Sequence, residues 1–325
     1  MQTTQPTIAT VADAVAVACR APSVHNSQPW RFVAERSGLQ LFVDTDRLVA
    51  TDHSGRAALL SCGAVLDHLR VAMAAAGWAA HVDRYPDPAD HTHVATVTFA
   101  SLDTVTDVQR RRADAILARR TDRLPFAAPR DWDALFLAMR DAVDETVAVL
   151  DVVHDGRAEL AEAAQLSEAL RLYDSEYHLE LDWWTGPAAI SDGIPRSSLV
   201  SAAESDRVDI GRVFPVTGGH EERRMSVPED MSKVLVVSAR DDSRLSVLGC
   251  GELLSQVLLE ATMAGLGTCT LTHVTELEVS RDVIGALVGR EFPQVLVRVG
   301  QTPALDSCPP PTPRRRLDMF LELRL

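Results

Sequence analysis

RAALLSCGAVLDHLRVAMAAAG, residues Arg56 to Gly77, returns 188 residues later as RLSVLGCGELLSQVLLEATMAG, Arg244 to Gly265, with Arg, Leu, Cys-Gly, Leu and Ala-Gly at equivalent positions. Both stretches are apolar at helical spacing and stop at a glycine, as an α-helix does. The first is followed by two strand-like runs, Ala79 to Asp83 and His93 to Phe99; the second by Gly267 to Leu271 and Pro293 to Val299. Two alanine-rich amphipathic helices can share residues by chance. The continued agreement into the strands favours an internal repeat, and with it an α+β fold of two similar halves packed as a pseudo-dimer.

Working outward, Ile8 to Cys19 has helical spacing, and a loop from Ala21 to Pro29 leads into β-like runs Trp30 to Ala34 and Leu39 to Val43. Asp107 to Arg119, Asp131 to Val143, Gly156 to Leu181 and Glu276 to Val288 read as helices; Thr146 to Val153, Lys233 to Ala239 and Val295 to Val299 read as strands. From Trp183 to Asp230 the period dissolves into Gly, Pro, Ser and Arg. So long an irregular stretch inside a folded chain points to a lid or binding loop. The chain closes in a Pro-rich, Arg-rich tail.

Composition narrows the function classes. The 325 residues are 46% apolar and 24% charged, values of an ordinary globular chain with material for a substantial core. A net charge of −14 offers no overall attraction to nucleic acid or to an anionic membrane, so an anionic ligand needs a local basic pocket. Five dispersed cysteines (Cys19, Cys62, Cys250, Cys269, Cys308) contain no CxxC pair and suggest neither a disulfide framework nor a zinc site. A cytoplasmic protein is expected. The most apolar stretch, Ala57 to Trp78, is interrupted by Asp67, His68 and Arg70, and the N-terminus lacks the pattern of a secretion signal.

Chemistry concentrates in CRAPSVHNSQPWRF, Cys19 to Phe32, where Ser23, Asn26, Ser27 and Gln28 crowd short hydrogen-bonding groups before Pro29 and Trp30 enter a strand. This is either a polar turn or a mount for a planar, heteroatom-rich ligand. The pattern APSxxNxQPWxF resembles the signature of the nitroreductase family of FMN-dependent oxidoreductases. ARRTDRLPF (Ala118 to Phe126) resembles that family's arginine-rich phosphate motif, AGLGTCTL (Ala264 to Leu271) its glycine-rich strand entry beneath the flavin, and PRRRL (Pro313 to Leu317) its basic C-terminal segment. The four together span residues 21 to 317. The fused arrangement most resembles the Acg-like subgroup, whose middle segment is similar to YHLELDWWTG (Tyr177 to Gly186) and DGIPRSSL (Asp192 to Leu199).

The resemblance implies a nitroreductase-like half at residues 1–112 and a second at 113–325, the latter carrying a lid-like insertion at about 183–230. It implies one FMN per chain, with NAD(P)H as donor and a small-molecule acceptor such as a nitroaromatic or quinone. The implied cofactor-binding residues are Ser23, His25, Asn26, Ser27, Gln28, Arg119, Arg120, Thr121, Arg123, Gly267, Thr270, Leu271, Thr272, Arg314 and Arg316. Arginines suit a phosphate because they meet it with charge-assisted, bidentate hydrogen bonds. Gly265 and Gly267 would let backbone approach a flat ring, and Gly265 would also end the helix before it. No catalytic side chain is required, since the reactive atom belongs to the cofactor. The alternative is a flavin-holding protein, for storage, sequestration or stress protection, whose irregular segment covers the ring. The chain is expected to be a monomeric pseudo-dimer or a homodimer.

Other features are read blandly. His91-x-His93 and Asp44-x-Asp46 lack further ligands at metal spacing, Cys19 near His25 reads as a buried helix cysteine, and no GxGxxG follows a strand. Trp183 and Trp184 would either cap the pocket or pack elsewhere.

Overall fold

The side chain of Thr7 accepts from the Thr10 amide and starts α1 (Ile8–Ala18), whose buried Ala14, Val15 and Ala18 point inward. The structure, a computed structural model, describes residues 5–141, 146–186, 192–215, 222–303 and 310–324. After the loop come the antiparallel pair β1 (Trp30–Glu35) and β2 (Gly38–Val43), then α2 (Arg56–Ala75), β3 (Trp78–Arg84), β4 (His93–Ser101) and α3 (Asp107–Ala118). Asp52 accepts from the Ala57 and Ala58 amides at 3.2 and 2.9 Å and so caps α2, and a Thr106/Gln109 capping box opens α3. Next are α4 (Trp132–Asp141), β5 (Ala148–Val152), α5 (Arg157–Leu170), α6 (Ser175–Thr185), α7 (Ala202–Ser205), β6 (Lys233–Ala239) and α8 (Arg244–Met263). Then β7 (Gly267–Leu271), α9 (His273–Glu276), α10 (Glu278–Val288), β8 (Phe292–Gly300) and β9 (Leu321–Arg324) complete the chain.

The α+β class expected from sequence is the one observed. One sheet has the order β3-β4-β2-β1-β9, the other β5-β6-β8-β7. Pairing β1 with β5, β2 with β6, β3 with β7 and β4 with β8 makes the two orders coincide, and each sheet has its register shift at the equivalent strand pair, β2/β4 and β6/β8.

Between the sheets α2 crosses α8 at the repeat's own glycines. A Cβ on Gly63 would lie 2.1 Å from the Leu248 carbonyl oxygen, and a Cβ on Gly251 would lie 2.1 Å from that of Leu60. These contacts exchange under the 188-residue shift, as the contacts of a two-fold interface do. Ser255 also donates to Asp67 at 2.6 Å, a bond between two equivalent positions. Both helices are long and apolar enough to cross a membrane by length and composition, yet 83% and 78% of their apolar windows are buried within the protein. One hydrophobic cluster takes in α1, α2, α8 and the inner faces of both sheets.

Two expected helices are divided. Gly156 to Leu181 becomes α5 and α6, broken where Asp174 turns its carboxylate to cap the Tyr177 amide; Glu276 to Val288 becomes α10, preceded by the short α9 and a β-configured Leu277. The expected helix Asp131 to Val143 is seen as α4, with residues 142 and 143 outside the described residues. The division expected at 112/113 falls inside α3, which packs on both α2 and α8. The Arg-rich tail holds an element the sequence reading lacked: β9 adds to the first sheet, parallel to β1.

Candidate functional site

Three non-glycine residues of the loop between α1 and β1 have positive φ: His25 (48°), Asn26 (59°) and Gln28 (53°). Left-handed backbone is costly for such residues and is kept only where surroundings over-determine it. The bonds that hold it are local and long-range. The Gln28 amide donates to Ser23 Oγ at 3.0 Å, and Asn26 Nδ2 donates to the carbonyls of Gly193 (3.0 Å) and Pro313 (3.1 Å). The Arg315 amide donates to Gln28 Oε1 at 3.0 Å. The loop is therefore clasped by the insertion on one side and by the C-terminal tail on the other.

Beside it opens a cleft with a basic neck and a mainly apolar head. The neck, of about 70 Å3, is lined by Arg20, Arg119, Arg120 and Arg314 among others. Arg314 is oriented by three carbonyls at the end of α1, donating to Cys19 (2.9 Å), Arg20 (2.9 Å) and Ala21 (3.1 Å). Arg119 is 6% exposed, and its Nε and Nη1 have no partner among the described residues. None of these four guanidinium groups forms an ion pair with a carboxylate of the described residues. Burial, with Arg119, Arg20 and Arg120 nearby, pushes Arg314 down to about 9; burial, with Arg120 and Arg20, pushes Arg119 down to about 10. Crowded like charges out of water are a preformed demand for an anion.

The head, of about 120 Å3, is bounded by Leu60 of α2, Leu254 of α8, Thr270 and Leu271 of β7, and Val208 and Phe214 of the insertion. One wall is polar. His25 Nε2 lies 3.3 Å from Glu180 Oε1 and 3.3 Å from an Arg212 guanidinium nitrogen. Arg212 pairs with Glu276, which also takes Arg171 at 2.6 Å and the Thr272 hydroxyl at 2.8 Å. Burial holds His25 below the usual histidine range despite Glu180, and pushes His273, also in this wall, down to about 3. Both are neutral near pH 7, able to donate and accept hydrogen bonds without adding charge. An apolar chamber with a polar rim beside a basic neck suits a flat, heteroatom-edged body carrying an anionic tail.

No protein-family model matches the chain. A Mycobacterium tuberculosis protein named "Putative NAD(P)H nitroreductase acg" is 58% identical over 327 residues, covering 100% of this chain and 98% of that one. A second M. tuberculosis protein, named "Putative NAD(P)H nitroreductase Rv3131", is 35% identical over 331 residues, covering 99% and 94%. The chain belongs to the NAD(P)H nitroreductase family. Among solved structures, the FMN-dependent nitroreductase NfnB of Mycobacterium smegmatis, determined in complex with NADPH, aligns at 16% identity and a TM-score of 0.35, over 60% of this chain and 89% of that one.

In this chain Ser23, His25, Asn26, Arg119, Arg120, Thr121, Arg123 and Arg314 meet at the neck, and Thr270, Leu271 and Thr272 line the head. Four of the residues singled out by the sequence lie elsewhere. Ser27 and Gln28 are wholly buried beneath the loop, lining neither neck nor head. Arg316 points to solvent and pairs with Asp318. Gly267 is absent from the head as well; a Cβ there would stand 2.2 Å from Thr302 Cγ2 and 2.7 Å from Phe126 Cε1, so its missing side chain makes room for protein packing. Gly265 has φ of 74° just past α8, the helix-ending role expected of it. Of the tryptophan pair, Trp183 is 74% exposed and Trp184 is buried under Arg47, and neither lines the head. Arg20, Glu180, Arg212, His273 and Glu276 were missed. Arg20 adjoins the recognised loop and was within reach of the same charge argument; the others acquire meaning only through tertiary contact.

Proposed function

We propose that this nitroreductase family member binds one FMN per chain and works as an oxidoreductase, taking electrons from NAD(P)H and passing them to a nitroaromatic or quinone-like acceptor. The observation that carries the reading is the neck: five arginines, Arg20, Arg119, Arg120, Arg123 and Arg314, from the end of α1, from the segment after α3, and from the tail, converge without a compensating carboxylate among the described residues. The fit rests on the orphaned, buried Arg119 nitrogens, which suit a phosphate monoester of nearly two negative charges. Arg20, Arg119, Arg120 and Arg314 would hold that phosphate, and the head would take the ring. Bound FMN supplies hydride acceptance and donation. The protein's part is to seat the ligand, exclude water, and offer the neutral His25 and His273 as hydrogen-bond partners at the polar rim. The two matching sheets and the reciprocal Gly63/Gly251 crossing support a fused pseudo-dimer of halves 1–112 and 113–325, and four buried free cysteines agree with a cytoplasmic location.

A second reading, storage or sequestration of FMN with little turnover, has its own observation. Val208, Arg212 and Phe214 of the insertion wall the head in, leaving about 120 Å3 where small-molecule sites usually offer roughly 300 Å3 or more. The deciding measurement is anaerobic mixing of FMN-loaded protein with NADPH and, separately, NADH. Rapid bleaching near the flavin absorbance maximum is expected of the oxidoreductase. Persistent colour with both donors selects the holder, and failure to retain FMN at all overturns both.

A further inference from the structure

Beyond the neck, the arginine-rich segment turns a second face to a side room of about 450 Å3. Arg119, Arg120, Thr121 and Arg123 line both the neck and this room, and Thr121, Arg123 and Val200 line both the room and the head. The three spaces thus adjoin one another, with Thr121, Arg123 and Val200 standing between the room and the head.

Charge counting separates the room from the neck. Arg20, Arg119, Arg120, Arg123 and Arg314 have no carboxylate partner among the described residues. One phosphate monoester supplies close to two negative charges, well short of what five guanidinium groups can meet. Among the described residues Arg123 donates to the Ser198 carbonyl (3.3 Å), and it lies over the Phe214 ring at 5.0 Å. Arg223 and Arg224, also at the room, are committed to Glu204 (2.8 Å) and Asp122 (2.7 Å). Besides the guanidinium groups and the Asp122 carboxylate that Arg224 engages, the room's lining includes apolar Leu124, Val200 and Leu266. Basic and apolar groups around one space are what a nucleoside phosphate requires: charge for the phosphate, contact area for ribose and base.

We propose that this side room seats the phosphorylated nucleoside end of the electron donor, favours a donor bearing an additional phosphate on that nucleoside, and leads its other end past Arg123 and Val200 to the head. The proposal deepens the oxidoreductase reading and rests on it for the donor's identity. The room itself stands on its own geometry.

The test uses adenosine 2′,5′-bisphosphate, adenosine 5′-monophosphate and inorganic phosphate as probes, titrated calorimetrically into FMN-loaded protein. The bisphosphate is expected to bind once per chain, at least tenfold tighter than either other probe. Thr262 lies in the room's wall but not in the neck or head. Thr262→Glu would set a carboxylate there, weakening the bisphosphate at least tenfold while FMN content stays at one per chain. The proposal is overturned if bisphosphate does not bind, if inorganic phosphate equals it, if added FMN displaces it, or if Thr262→Glu leaves its affinity unchanged. Running the same titrations on flavin-free protein separates the two ideas. Loss of FMN binding with bisphosphate recognition intact overturns the flavin reading and keeps the room as a nucleotide site.

Discussion

Arg119 shows how one side chain can oppose the apoprotein and serve the ligand. Its buried charge faces Arg20, Arg120 and Arg314, and its Nε and Nη1 have no described partner. Removing it relieves repulsion when the neck is empty and removes a contact when phosphate is present. Arg119→Met should therefore raise the Tm of flavin-free protein and at the same time weaken FMN by about 1.5–3 kcal/mol, the worth of a charged hydrogen bond. Arg314→Ala should cost FMN affinity of the same order. A lower apoprotein Tm together with unchanged FMN affinity in the Arg119→Met variant would contradict the assignment. The buried histidines give a pH signature of fixed sign. His68 and His273 are pushed down to about 3, and His25 is lowered, all chiefly by burial. In the unfolded chain each takes up a proton near pH 6.5, whereas the folded state refuses it. Their contribution is intact above that pH and is lost as pH falls below it, by up to about 1.4 kcal/mol per pH unit for each group that stays neutral. Apoprotein Tm should fall between pH 7 and 5, with buried Asp67, whose carboxyl is raised by desolvation, working the other way. His273→Gln isolates the term: its Tm should fall less steeply over that range, and an unchanged slope would exclude His273 as a neutral buried base.

At the scale of elements, the helix pair α2/α8 is where sequence and structure correspond most closely. Arg56 to Gly77 and Arg244 to Gly265 were recognisable as copies because a helix packed along its length against its own counterpart must repeat both apolar spacing and the small residues at the crossing. Gly251→Ala would put a methyl 2.1 Å from the Leu60 carbonyl oxygen, which cannot rotate away. The helices must separate, and a loss of about 1–3 kcal/mol or more is expected in chemical denaturation, with Gly63→Ala behaving alike. Gly265→Ala, with open space but a φ of 74°, should cost only the backbone strain, about 1 kcal/mol. Elsewhere propensity misled. Gly156 to Leu181 kept helical spacing through a break made by the Asp174 cap, and β9 was invisible because LELR pairs only with a strand almost the whole chain away. Gly267 looked like a ring contact because its neighbours Phe126 and Thr302 are distant in sequence. Gly267→Val should accordingly lower the stability of flavin-free protein, which a ring-contact role alone would leave intact.

For the whole molecule, the cleft is a product of chain crossing. The loop at Ser23 to Gln28 belongs to the first sheet's side, the arginines at 119 to 123 leave α3 alongside β7, and the tail returns from the second sheet to close on the first. Beside the bonds at Pro313, Arg314 and Arg315, the segment after Arg314 is a further anchor: Phe320 is buried, the Phe32 amide donates to its carbonyl at 2.6 Å, and β9 pairs with β1 from Phe32 to Glu35. The sequence displayed the basic residues but not this anchor, so Arg314 and Arg316 looked equivalent although only Arg314 turns inward. Deleting residues 321–325 removes β9 and leaves every neck arginine in the chain. If those arginines act through fixed position, the shortened protein should release FMN at least tenfold faster in a stopped-flow exchange assay, although its complement of neck charges is unchanged. Combining the deletion with Arg314→Ala should then add little, because an unanchored Arg314 has already lost most of its contribution. Full additivity would show that the neck attracts phosphate by charge alone and that the parallel strand serves only the first sheet.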